Sequence, residues 1–486
     1  MRRECDQLEV REACGDSRLE GMFGDMSKTL KTVFVGAASL LALPALAGAN
    51  SIDTNEVDRR AQKLIKQRGM VGLAVAVIDD GEIVFAKGYG KTEAGRAGEP
   101  VTEDTVFRWA SLSKSVAAAT ALLVADEGYF GLPTPVESVI GNALPEGNSS
   151  ATLEHVLSHQ TGLPRNAFDS KVEDGRSKPR IKAELKEADT VCAPGRCHSY
   201  QNVAYDLSAD MVEAALGVPY KSVVNARIFD PLGMETATLS LDGLHQSKSW
   251  AKPHNSGGSR YSHVKPTYYR VPAAAGVNSS VTDLAKWVVA NMDPESVVVP
   301  VDMQGAMQTA RTTTPRRARQ LRRKWPFLSD AGYGLGWRTY DYAGGGRVVA
   351  HRGAVQGYRA NAMFDPATGD GVVVLWNSNS SRPHGLAYEV MDQSYGKTRT
   401  DWLGMNAPRS RVTITSRKPK RKPQLIASAP LPKDEPATAT LASAPEELTD
   451  ADIERIRAEE DARLMAESLA ATCPCPEDTV LSGDGE

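Results

Sequence analysis

Ser111 and Lys114 form the first pair in the chain whose residue types and spacing could do chemistry. They lie in Phe107-Arg-Trp-Ala-Ser111-Leu-Ser-Lys114 and lead into an apolar run that ends at Asp126. Residues three apart share a helix face, so the hydroxyl and the amine can meet while Ser113 points elsewhere. The run after Lys114 is apolar almost all round, which predicts a helix buried in the middle of a domain. A lysine at the mouth of such a helix is costly to desolvate unless it is paired or neutral, and a neutral amine is a base for a neighbouring serine. Alone the pattern carries little weight, because Ser249-Trp-Ala-Lys252 matches it too. Three further stretches raise it. Tyr200-Gln-Asn202 heads a helix-like run over 203–213, His351-Arg-Gly353-Ala354 follows a strand-like Val348-Val-Ala, and His159-Gln-Thr-Gly-Leu-Pro164 is turn-like after a short helix.

The elements that must position these groups follow from periodicity. Residues 53–67 read as an amphipathic helix. The β-rich runs 71–78 and 82–90 flank Asp79-Asp-Gly81, which predicts a hairpin. After the Ser111 helix comes a mostly helical and loop region to about 270, with a charged helix near 180–189. The β-signal returns from Tyr333, in 334–337, 347–351, 360–364 and 371–376, with Gly344-Gly-Gly346 as a hairpin turn and a last helix over 385–395. Strands at both ends of the sequence and helices between them predict an α+β domain. One antiparallel sheet is completed by distant segments and flanked by helices, with a mainly helical lobe inserted.

The 486 residues divide unevenly. Basic residues after Met26, an apolar run over 32–43 and Pro44-Ala-Leu-Ala47 predict a secretory leader cut after Ala47, with Met26 as the true start and 1–25 as an extension. The apolar run falls short of the roughly 18 residues a membrane anchor needs, so no transmembrane anchor is expected after cleavage. The address is then periplasmic or secreted. Residues 48–403 are long enough for a large core. From 404 a basic run at 417–423 and an Ala/Pro/Ser/Thr-rich stretch predict a disordered tail with a short helix over 450–470, and the basic run is a candidate for contact with anionic envelope surfaces. In an oxidising compartment Cys192 and Cys197 could close a small disulfide loop. No cluster has metal-ligand spacing and no cofactor motif is present, so neither is expected. A formal charge of −3 argues against nucleic acid as a main partner.

With these stretches together, the chain resembles the penicillin-recognising serine hydrolases, in the class C β-lactamase-like branch that also holds DD-peptidases and carboxylesterases. The resemblance covers roughly 55–395. Ser111-x-x-Lys114 is similar to the family's nucleophile motif, Tyr200-x-Asn202 to its Tyr-x-Asn motif, and His351-x-Gly353 to its third motif on the edge strand. Supporting stretches are 157–164, 273–287 and 332–337. The resemblance implies a β-lactamase/transpeptidase-like fold and acyl transfer. Ser111 would attack a carbonyl and become acylated, and Lys114 and Tyr200 would share its proton. Tyr200 would protonate the leaving group and later activate water. Asn202 would hold Lys114 or the substrate amide, and the backbone N–H groups of Ser111 and Ala354 would bind the oxyanion. His351, Gly353 and Ala354 would thus line the substrate.

One departure bears on substrate. β-Lactam-hydrolysing members carry Lys-Thr-Gly in the third motif, where this chain has His351-Arg352-Gly353, and a neutral imidazole anchors a carboxylate less well than an ammonium. Arg352 and Arg359 are alternative sources of charge, although either reads equally as a surface ion-pair residue, and for Arg359 that is the preferred reading. His159 reads as ordering a turn, His198 as a rim residue with lining of the cleft as its alternative, and Trp109 and Trp337 as packing. The expected protein is an exported, metal-free serine hydrolase acting on β-lactam or D-Ala-D-Ala-type carbonyls of small-molecule or peptidoglycan-derived substrates. A carboxylesterase is the alternative within the class, and a non-catalytic penicillin- or peptidoglycan-binding module the alternative outside it.

Overall fold

The chain is described by a computed structural model over residues 52–406, apart from Ser262, Arg399 and the side chains of Arg322 and Lys324. The leader, the N-terminal extension, the candidate helix at 450–470, Cys473 and Cys475 lie outside the described residues. Helix α1 (Thr54–Ile65) opens the described chain, its first turn capped by the Asp53 carboxylate, which accepts from the N–H groups of Asn55 and Glu56. Strands β1 (Gly72–Asp79) and β2 (Glu82–Gly90) form the expected hairpin. Its turn residues Asp80 and Gly81 both take positive φ, 52° and 81°, the backbone that an Asp-Gly pair tolerates in a tight hairpin.

The hairpin is one end of an eight-stranded sheet that distant segments complete. Beyond β1 lie β10 (Asp370–Trp376), β9 (Tyr358–Asp365), β8 (Arg347–Val355), β7 (Arg338–Tyr342), β6 (Leu328–Tyr333) and the short β5 (Thr312–Thr313), in that spatial order. Every pairing is antiparallel, with Leu73 opposite Trp376 at the closure. Side chains alternate across β1. Leu73, Val75 and Val77 join α1 and the last helix (His384–Ser394) on one face. Ala74, Ala76 and Ile78 join the inserted lobe on the other. Both faces are covered, which is why β1 and β10 read as continuous apolar runs.

Helix α2 (Ser113–Asp126) crosses the centre of the lobe and is buried from Ser113 to Leu122. A two-residue pairing of β3 (Phe107–Arg108) with β4 (Asn278–Ser279) fixes the chain just before it. Three expectations shift. The returning sheet starts earlier, with the short β5 at Thr312 and then β6 at Leu328, and 334–337 is a turn rather than a strand. Gly336 has φ 77°, and a Cβ there would sit 2.6 Å from the Lys114 carbonyl oxygen, so this segment is squeezed beneath α2. The helix expected over 203–213 begins at Leu207. Finally, β8 is not an edge strand along its whole length. Arg347–Ala350 pairs with β7, but the register with β7 stops there, leaving His351–Val355 paired to β9 alone. The motif therefore lies on a local edge within an interior strand.

Candidate active site

Ser111 stands in a single 3-10 turn, Ala110–Leu112, that leads into α2, rather than on the first α-helical turn. The preceding residue, Ala110, has φ 52°, a left-handed backbone that costs a residue with a Cβ about 1–3 kcal/mol and persists only where its surroundings enforce it. Here they do. The Trp109 N–H donates to Val277 C=O at 2.9 Å and its indole N–H to Ser279 Oγ at 2.9 Å. Ser113, which does point elsewhere, donates to Ala110 C=O at 2.7 Å and accepts from Val277 N–H at 2.9 Å. Gly353 packs against the same turn. A Cβ at Gly353 would lie 1.8 Å from the Trp109 carbonyl oxygen, so only glycine lets the local edge of β8 run beside Ser111.

Lys114 is fully buried. Its Nζ donates to Asn202 Oδ1 at 2.7 Å and Ala274 C=O at 2.9 Å, and lies 3.5 Å from Ser111 Oγ. Both close partners are pure acceptors, so they consume two N–H groups in either protonation state. What remains aimed at Ser111 is a third N–H in the ammonium or the lone pair in the neutral amine. Asn202 is itself oriented by Asp169, to whose Oδ2 it donates at 2.8 Å. Burial raises the Asp169 carboxyl to about 6, against the opposing effects of Asn202 and Lys114. Nothing in the sequence singled out Asp169.

Tyr200 places its ring 4.9 Å from Lys114 Nζ. His159 clamps the segment that carries it. The His159 C=O accepts from Ser199 N–H at 2.9 Å, its Nδ1 accepts from Gln201 N–H at 3.2 Å, and its ring lies 4.2 Å from that of Tyr200. His159 does sit in a turn, with φ 61°, but it is buried and reaches further than turn formation requires.

The hydrogen bonds that continue from His159 have only one consistent direction. Nδ1 accepts from Gln201, so Nε2 carries the proton and donates to Tyr333 Oη at 3.2 Å. Tyr333 then donates to His351 Nε2 at 3.2 Å, and His351 Nδ1–H donates to Arg352 C=O at 3.1 Å. Both imidazoles are neutral in this chain. Burial, reinforced by nearby cations, holds each well below the ordinary histidine value, and burial pushes the Tyr333 phenol well above its own. With both ring nitrogens of His351 engaged, its imidazole ties β8 to the Tyr200 segment rather than offering a free donor to substrate. Tyr333 was visible in the sequence only as part of a supporting stretch.

Tyr200, His351, Gly353 and the exposed Ala354 line one cavity of about 470 Å³. A second, of about 340 Å³, lies beyond Ala354 and includes Arg108, Glu173 and Lys265. His198 also lines the first cavity, half-buried rather than on a rim, and burial followed by Arg338 and Arg165 lowers it to about 4. Cys192 and Cys197 are joined in a disulfide just ahead of Tyr200. Trp109 and Trp337 are buried packing residues. Arg359 donates to the carbonyls of Val355 and Tyr358, both at 2.7 Å. The second Ser-x-x-Lys match is unrelated: Ser249 bonds to Thr105 and Lys252 lies over the Trp250 ring. Among the described residues no group of three or more His, Cys, Asp or Glu could hold a metal ion, and no helix is long and apolar enough to cross a membrane.

This fold is shared with solved proteins. The octameric penicillin-binding protein homologue from Pyrococcus abyssi matches with a TM-score of 0.64 at 25% identity, over 73% of this chain and 80% of that one. A class C β-lactamase mutant matches with a TM-score of 0.57 at 21% identity, over 70% and 96%. The architecture is thus β-lactamase/transpeptidase-like. The Beta-lactamase family model matches residues 57–395, and the chain belongs to that family. Among curated relatives, an unguisins hydrolase of Aspergillus violaceofuscus is 28% identical over 71% of this chain and 66% of its own length. The chain therefore spans just under two thirds of that relative. The AmpH D-alanyl-D-alanine-carboxypeptidase/endopeptidase of Escherichia coli is 32% identical over 38% of this chain and 49% of its own length.

Proposed function

We propose that this protein is an exported serine hydrolase that works through an acyl-enzyme at Ser111 on amide or ester carbonyls, of β-lactam or D-Ala-D-Ala type. The observation that carries the reading is the arrangement at Lys114, whose Nζ is held by two acceptors with its remaining valence toward Ser111 Oγ. In acylation, Oγ bonds to the substrate carbonyl carbon and its proton passes to Lys114 and Tyr200. The carbonyl π electrons move to oxygen, where the N–H groups of Ser111 and Ala354 stabilise the charge. As the tetrahedral centre collapses, the bond to the leaving atom breaks and that atom takes the proton through Tyr200. Water then attacks the ester carbonyl, giving its proton back along the same route, and Ser111 leaves with a hydrogen. Each oxyanion donor is worth roughly 10²–10³ in rate.

A carboxylesterase is the second reading, favoured by the engagement of both His351 nitrogens, which leaves the imidazole itself no free donor for a substrate carboxylate and gives that task to the neighbouring arginines. A binding module without turnover is the reading from another class. Export rests on the leader sequence, and with it a mature domain over 48–403 followed by a tail. The test uses a fluorescent penicillin, a chromogenic cephalosporin and a p-nitrophenyl ester, each beside Ser111→Ala. Rapid cephalosporin opening supports a lactamase, ester cleavage alone an esterase, and stable penicillin labelling without turnover a peptidase or a binder. Absence of any Ser111-dependent acylation refutes the hydrolase reading. N-terminal sequencing of the secreted protein tests cleavage after Ala47.

A further inference from the structure

The cavity beside Tyr200 is unusually cationic for a chain whose formal charge is −3. Among the described residues its lining holds Arg165, Arg316, Arg317, Arg338, Arg352 and Arg359, with no aspartate or glutamate. Five of these guanidinium groups, all but that of Arg316, meet aromatic rings, phenols or carbonyls instead of carboxylates. Arg165 and Arg338 lie 5.8 and 5.6 Å from the centre of the Tyr200 ring. Arg317 Nε donates to Tyr340 Oη at 3.4 Å, and Arg352 donates to Tyr388 Oη. None of them forms an ion pair among the described residues, and Asp169, whose charge reaches Arg165, is already bonded to Asn202. The field they create is felt nearby. Burial alone would raise the Tyr340 phenol, yet Arg317 and Arg338 outweigh it and hold the group below its ordinary value.

Like charges gathered in one cavity destabilise the empty site, and one carboxylate brings a single negative charge against several guanidinium groups, so it neutralises them less fully than two or three do. The second cavity, which shares Ala354 and Arg359 with the first, sets Glu173 against Arg108, Lys265 and Arg359. The first is therefore the more strongly cationic of the two, and it is the one that Tyr200, the proton donor to the departing atom in the reading above, lines. We propose that this cavity receives the leaving group and selects one bearing at least two carboxylates, such as the acidic end of a peptide. The assignment to the leaving group rests on the acyl-enzyme reading, whereas the recognition of polycarboxylates rests on the arginines alone.

The test separates the two. Calorimetric titration of the full chain with tricarballylate, which carries three carboxylates, is compared with butyrate, which carries one. Tricarballylate is expected to bind at least about 100-fold more tightly, to weaken as salt is raised, and to lose about tenfold or more in each of Arg316→Gln and Arg338→Gln. Thermal unfolding of the variants controls for misfolding, and Arg316, at the exposed start of its helix, is the safer of the two. In parallel, kcat/KM is measured for N-acetyl-D-alanyl substrates whose leaving groups are D-alaninamide, D-alanine and D-glutamate. A rise along that series supports the leaving-group assignment. Equal affinity for the two acids within about threefold, or wild-type affinity in both variants, overturns polycarboxylate recognition while Ser111 acylation by penicillin leaves the hydrolase reading intact. Failure of every acylating probe overturns the leaving-group assignment instead, whatever the calorimetry reads.

Discussion

Tyr333→Phe removes one oxygen and is expected to disturb both stability and turnover. In the wild type that oxygen accepts from His159 Nε2 and donates to His351 Nε2, each at 3.2 Å, and all three residues are buried. The phenylalanine keeps the packing but strands one donor and one acceptor. A buried polar group left without a partner costs about 1–3 kcal/mol, so the loss is about 2–6 kcal/mol before relaxation. Relaxation is restricted. His159 could move its proton to Nδ1 to avoid an orphan donor, but Nδ1 would then face the Gln201 N–H, donor against donor, one residue from Tyr200. The damage therefore reaches the Tyr200 segment. Urea unfolding at pH 7.5 should show a midpoint shift with unchanged slope, and Ser111 acylation by a p-nitrophenyl ester should fall in kcat more than KM rises. A loss below about 0.5 kcal/mol with wild-type kcat would refute the directed chain, because two stranded buried groups cannot be that cheap.

Four further outcomes follow from the geometry. Gly353→Ala drives a methyl into the Trp109 carbonyl and should lower acylation at least 100-fold in the ester assay. Asp169 has its folded value raised to about 6 from 3.8, so its contribution to stability is full below about pH 3.8 and disappears as pH rises through 6. Asp169→Asn keeps an acceptor for Asn202 and should gain roughly 1–1.5 kcal/mol on the wild type between pH 5 and 7.5, read from urea midpoints. His198 has the opposite sign. Its folded value, lowered to about 4, gives a contribution present above about pH 6.5 and lost as pH falls, so His198→Gln should spare the protein about 2 kcal/mol of acid destabilisation at pH 5. Arg60 is buried and grips Glu389 with its Nε 2.6 Å from Oε2, so Arg60→Ala leaves a buried carboxylate alone and should cost about 3–5 kcal/mol by denaturant titration.

Much of the molecule was legible without coordinates because its signals are local. The hairpin turn needed only Asp80-Gly81, and the buried course of α2 needed only its unbroken apolar run. Helix α1 and the last helix fell within a residue or two of their periodicity. Local signals failed where packing overrode them. The segment 334–337 reads as strand-like but must turn beneath the α2 backbone. Asp169 opens a short helix, Asp169–Glu173, that no pattern singles out, and its role exists only because Asn202 arrives beside it.

By itself, the sequence determined which groups could react and that they must share a domain, since a hydroxyl and an amine three residues apart meet on any helical turn. Only tertiary structure decided what those groups do to one another. The acceptors that aim Lys114 come from Asn202 and Ala274, the polarity of the His159–Tyr333–His351 chain depends on three separate segments, and the arginines converge from loops, helix and strands. Such arrangements depend on strand register and on close approach at Gly353, and no periodicity along the chain encodes either.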